Sequence, residues 1–336
     1  MDNPINWINI IKTECPTFKC KNIFLEHITI KSHLQNWVDI EEEYYMQLKN
    51  TINYGITQPY SIKDLNNDFE KVKQALADYL NQELHKKEIT EFNLNRVISN
   101  FNIADFSTKG SSVLRKEFCP TNENEIEDYN KKFDGYLQDM QQGYFRHYNI
   151  GYPKEILLLN FNYTDLPKKL IQYIRTNNWR LEDCVKKTPI KIISIHGELN
   201  NNNNPIIFGY GDDQDEAHKE FEKRGGEYLN NVKTINYLKT PNYKNLLNFM
   251  ESGMYQIFIM GHSCGLSDKT LLNTMFEHEN CISIKPFFYE WINEENEKQN
   301  NYDDIVKNIY RIFTNKSMMR EKVVNKEYCE LFSTEK

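Results

Sequence analysis

From Gly151 onward, short apolar runs alternate with amphipathic stretches, and the runs end in asparagine, histidine or glycine. Runs of four to six apolar residues bounded by turn formers read as buried strands. Five fit this description: Ile156-Leu157-Leu158-Leu159, Ile190 to Ile195, Pro205-Ile206-Ile207-Phe208, Tyr255 to Met260, and one starting at Cys281-Ile282-Ser283-Ile284. Between them, Thr164-Asp165-Leu166-Pro167 reads as an N-cap with an early proline. It opens a helix through Leu170, Ile171 and Ile174. Ser267 is expected to cap a second helix carrying Leu271, Leu272, Met275 and Phe276. Strands alternating with helices imply an α/β fold, with a mostly parallel, Rossmann-like sheet covered by helices. We assign this core to residues 151–290.

Residues 1–150 read as a helical region. Trp37, Ile40, Tyr44 and Leu48 recur at spacings of three and four, as do Phe69, Val72, Ala75, Leu76, Tyr79 and Leu80. Each set makes one apolar face of a helix. Pro59 and Asn66-Asn67-Asp68 punctuate the gap between them, and a third helix is expected from about Glu123 to Met140. Asp39, Glu42 and Glu43 share one helix face, which reads as a solvated charged surface. Asp212 to Tyr228 is a helix or a mobile insertion, and residues 291–336 form a C-terminal helical tail.

Several function classes are disfavoured. Lys and Arg number 41 against 48 Asp and Glu, a net charge of −7. The chain thus lacks the basic excess expected of a nucleic-acid scaffold. No stretch approaches the ~20 apolar residues of a spanning helix. Met1 to Trp7 lacks the basic and apolar regions of a signal peptide. The seven cysteines are scattered, with no C-x-x-C pair, so we expect reduced thiols in a cytoplasmic protein. Cys15 and Cys20 have no second ligand pair nearby, and His262 with Glu277 and His278 lacks metal-ligand spacing; no metal is expected.

Polar residues follow the expected strands directly. Asn160 and Asn162 follow the first, His196 the second, Asp212 and Asp213 the third, and His262 and Ser263 the fourth. In open α/β sheets ligands bind outside the carboxyl ends of the strands. Each residue also has a plainer reading. Asn162 could bond its own backbone in a turn. His196 could be a satisfied core histidine, although Gly197 behind it would let backbone approach a ligand closely. Gly261-His262-Ser263-Cys264-Gly265 could be a turn or could wrap phosphate, and it lacks the Walker pattern. Asp268 falls in a first helical turn, where the helix dipole favours any acid. Cys264 has no nearby base to make it a nucleophile.

Five segments together resemble the AbiH family of bacterial abortive-infection proteins, which act against bacteriophage. They are Trp37-Val38-Asp39-Ile40-Glu41, Leu159 to Thr164, Ile195-His196-Gly197, Ile206 to Asp212, and Phe258 to Asp268. The resemblance runs from about Trp37 to about Tyr289. The Asn-Tyr-Thr, His-Gly and Gly-His-Ser…Asp segments are similar in turn to those of sirtuin-like domains in phage defence. This implies binding and hydrolysis of NAD or a related nucleotide, with Asn162 and His196 catalytic. It implies ligand contacts from Asn160, Tyr163, Thr164, Gly197, Gly261, His262, Ser263, Gly265 and Asp268, and no metal. Thr164 stands where sirtuin-like defence domains often have an acid. Nothing in residues 1–36 matches the family's opening Gly-Asn-Gly-Phe-Asp segment, and Cys20 to Leu25 is a poor strand. That departure favours the alternative of a non-catalytic nucleotide sensor. Implied partners are a phage trigger or a companion defence protein, or a second copy of the chain, with no membrane.

Overall fold

A computed structural model of the chain describes residues 22–34, 39–53, 61–84, 100–142, 150–176, 188–293 and 295–332. They fall into two compact units: Met1–Lys87 with Ile207–Asn236, and Glu88–Ile206 with Tyr237–Lys336.

The first unit holds α1 (Ile23–Leu34), α2 (Ile40–Asn53), α3 (Ile62–Leu84), α7 (Glu216–Arg224) and the single turn α8 (Lys233–Asn236). Its core is aromatic. Tyr44 stacks on Phe69 at 4.0 Å and Phe69 on Phe208 at 5.0 Å. The Tyr44 hydroxyl donates to Asn66 at 2.6 Å and accepts from Asn231 at 3.0 Å, so burying it leaves no orphaned polar atom. Asp39 caps α2, its carboxylate accepting from the N–H groups of Glu41 and Glu42. Glu41 then reaches the fully buried Lys233 at 2.7 Å and accepts from the Gly209 N–H at 2.9 Å. This gives the Asp39-Ile40-Glu41 segment a structural meaning; Trp37 and Val38 lie outside the described residues. Glu43 is buried and paired with Lys31, so the acidic face of α2 is not wholly solvated as expected.

The poor strand candidate at Cys20 to Leu25 gives way to helix from Ile23, where α1 begins with Asn22 accepting from the Leu25 N–H. Cys20 itself, like Cys15, lies outside the described residues. Pro205 to Phe208, which straddles the two units, forms no strand either. A Cβ on Gly209 would sit 2.0 Å from the Asn231 carbonyl oxygen, and ladder pairing is reduced to a lone bridge between Tyr210 and Val232. Within the Asp212 to Tyr228 stretch, α7 is capped by Asp215.

The second unit mixes helix and strand. It contains α4 (Thr108–Glu117), α5 (Glu123–Gln141), α6 (Leu166–Thr176), α9 (Asn242–Glu251), α10 (Lys269–Glu277), α11 (Tyr302–Ile312) and α12 (Lys316–Lys322). β1 (Ile156–Asn160) pairs in parallel with β2 (Ile190–Ser194), and β3 (Tyr255–Ile259) with β4 (Cys281–Pro286). β5 (Glu290–Ile292) and β6 (Lys298–Asn300) form an antiparallel hairpin. The described strands therefore pair in twos. Buried Phe276, Ile309, Ile312 and Phe313 join α10 and α11 in one core. A buried ion pair of Lys285 and Asp105, 3.0 Å apart, ties β4 to the turn at Ile103–Asp105. Burial pushes the Asp105 carboxyl up, and Lys285 only partly offsets this.

Candidate functional site

Because β1 and β2 are parallel neighbours, their carboxyl ends lie side by side, with Asn160 opposite Ser194. Asn160 is buried and closes the turn after β1. Its Oδ1 accepts from the Asn162 N–H at 3.1 Å, and its Nδ2 donates to the Thr164 carbonyl at 3.0 Å. Asn162 stands exposed at the tip of this turn. The Tyr163 carbonyl accepts from Leu199 at 2.9 Å, joining the turn to the chain beyond β2. Ser194 donates to Glu198 at 2.9 Å, and Glu198 also accepts from Lys168 at 2.8 Å and Asn201 at 3.0 Å. Burial alone would raise the Glu198 carboxyl, but these hydrogen bonds outweigh it and hold the group below its ordinary range.

His196 stands two residues past the end of β2 and is buried. Gly197 behind it has φ +88°, and a Cβ there would lie 2.2 Å from the Pro205 carbonyl oxygen, so only glycine fits. The His196 Nε2 lies 3.0 Å from Oδ1 of Asp268 and 3.2 Å from the Tyr237 hydroxyl. Asp268 occupies the N-cap position of α10, one residue beyond the expected Ser267, yet makes no side-chain cap. Instead its second oxygen lies 3.4 Å from Nε2 of His262. His262 accepts from the Cys264 N–H at Nδ1, 2.9 Å away, so its proton sits on Nε2 and points at the carboxylate. The Phe161 ring meets both imidazoles, with centroids 5.2 Å from His196 and 4.2 Å from His262. Tyr237 lies parallel to His196, with 7° between the ring planes, and Tyr163 is 6.5 Å from His196.

The turn after β3 carries the remaining expected residues. Gly261 is exposed with φ +73°, Ser263 is exposed, and Gly265 is extended at φ −64°. Cys264 is fully buried at φ +56°, and burial pushes its thiol up to about 12, which removes it as a nucleophile. Glu277 and His278 are engaged elsewhere, with Thr314 and Asn315 and with the Asn280 N–H. Among the described residues no group of three or more His, Cys, Asp or Glu is arranged to hold a metal ion.

The ends of β1, β2 and β3 thus converge through Phe161, His196, His262 and Asp268. Asn160 and Thr164 shape the first turn, and Asn162, Gly261 and Ser263 present themselves at the turns. Asp212 and Asp213 belong to the first unit. Tyr237, Glu198 and Phe161 escaped the sequence reading. Glu198 stood two residues past His196, whereas Tyr237 joins the site from 41 residues away with no local signal. A buried carboxylate accepting an imidazole N–H fixes the ring and stabilises its protonated form, the arrangement of a general base.

No helix among the described residues is long and apolar enough to cross a membrane. Comparison with curated proteins and with solved structures gives no match. A family model described as bacteriophage abortive infection AbiH matches residues 9–290. That match begins well before Trp37, so it also takes in α1. The chain belongs to the AbiH family of bacteriophage abortive-infection proteins.

Proposed function

We propose that the chain carries out abortive infection by hydrolysing NAD or a closely related nucleotide at its nicotinamide-ribose bond. The observation that carries this reading is the buried contact of His196 with Asp268, 3.0 Å long, beside the Asn160–Thr164 turn. Its segments also resemble those of sirtuin-like defence domains, whose Rossmann-like sheet would use the same carboxyl edge. In the reaction the C1′–N bond breaks and its electron pair leaves with nicotinamide. This neutralises the pyridinium and leaves an oxocarbenium-like ribose. Water adds to C1′, and His196 takes the proton, directly or through a ribose hydroxyl. Asp268 stabilises the imidazolium so formed. Asn162 orients the water or the carboxamide. The exposed Gly261 and Ser263 turn offers backbone and hydroxyl to ribose or phosphate.

The test is NAD consumption by the purified chain, with and without lysate from phage-infected cells. Asp268→Asn keeps the size of the side chain but removes its charge, and should lower nicotinamide release about 10²–10⁴-fold. Asn162→Ala and His196→Ala should fall with it. Equal rates in all four proteins would contradict the assignment. Nucleotide binding without turnover would make the chain a sensor instead.

A further inference from the structure

His262 reads from sequence as a ligand contact, but its surroundings give it another role. Both of its ring nitrogens face the protein: Nδ1 accepts from the Cys264 N–H at 2.9 Å, and Nε2 faces Oδ2 of Asp268 at 3.4 Å. The other oxygen of that carboxylate takes His196. Two imidazoles therefore share one buried carboxylate, each on its own oxygen.

The Cys264 N–H that reaches His262 belongs to the 263–264 peptide, and residue 264 directly after it adopts φ +56°, a conformation unfavourable for a side chain with a Cβ. Something must hold it there. Asn308, from the middle of α11, donates to the Ser263 carbonyl at 2.8 Å. That carbonyl belongs to the peptide unit whose nitrogen is Cys264 N, so the same bond sets the direction of the Cys264 N–H. Asn308 lies beyond residue 290, where the family match ends.

We propose that His262 is a positioning residue for His196, acting through Asp268, and that Asn308 fixes the tautomer of His262. Contacts run from Asn308 to the 263–264 peptide, to His262 Nδ1, through Nε2 to Asp268, and on to His196. The groups facing His196 in this array are Asp268, Tyr237, Phe161 and Tyr163. The catalytic meaning of the array rests on the proposed hydrolysis, but its existence does not.

Long-range proton–nitrogen correlation spectra of the histidine rings in the full chain test it. In the wild type, His196 and His262 should both appear as the Nε2–H tautomer. In Asn308→Ala, the His262 signals should move toward an average of the two tautomers. In His262→Ala, the His196 ring signals should shift. His262→Gln, whose amide can again donate to Asp268, should bring them back toward the wild-type position. Thermal unfolding of each variant checks that the fold is retained. An unchanged His262 tautomer in Asn308→Ala overturns the proposal, as do His196 signals in His262→Ala that coincide with the wild type. If the wild type leaves NAD intact while the spectra change as expected, the hydrolase reading fails and the positioning array stands.

Discussion

At the residue scale the site is built from atoms with few alternatives. Gly197 is the clearest case, with φ +88° and the Pro205 carbonyl where a Cβ would go. Gly197→Ala should destabilise the second unit by about 2–4 kcal/mol, read as a lower denaturant midpoint. Unchanged stability would mean that the turn relaxes without strain. The His-Gly pair was legible in sequence because a glycine after an apolar run marks a special backbone position. The carboxylate's allegiance was not. Asp268 sits where a helix dipole would hold any acid, and only the fold shows that it caps nothing and serves two histidines instead. Asn160 and Asn162 carried similar local signals, yet one closes the turn and the other is displayed by it. Tyr237 was invisible, since its role comes from a long-range contact.

At the element scale, β1, β2, β3 and β4 lie where their apolar runs and flanking turns put them. Pro205 to Phe208 has the same apolar texture, and its Ile207 and Phe208 are buried, but it forms no ladder, so composition alone misreads it. The turns after β1 and β2 are joined through Ser194, Glu198 and Lys168 at the start of α6. Glu198 titrates below its ordinary range in the folded chain. Its contribution to stability is therefore complete above about pH 5 and is lost as pH falls through the lowered folded value. Glu198→Gln should flatten the acid limb of the melting-temperature profile and leave its pH dependence near neutrality unchanged. An identical acid limb in wild type and variant would show that Glu198 is not so held.

At the scale of the whole molecule, the chain beyond the family match completes the second unit. Val324 donates to the Ile284 carbonyl at 2.9 Å and Phe332 to that of Phe288 at 2.7 Å, while Ile309, Ile312 and Phe313 are buried. Truncation after Glu290 should therefore expose the α10 face, lower the melting temperature and speed limited proteolysis. A truncated chain as stable as the full one would show those contacts to be dispensable. During infection the full chain is expected to act on the cellular NAD pool. This is measured as the NAD pool of phage-infected cells expressing the wild type or His196→Ala. NAD should collapse before phage release in wild-type cells, while His196→Ala cells keep their NAD and yield phage. Protection by the wild type with an undiminished NAD pool would contradict it.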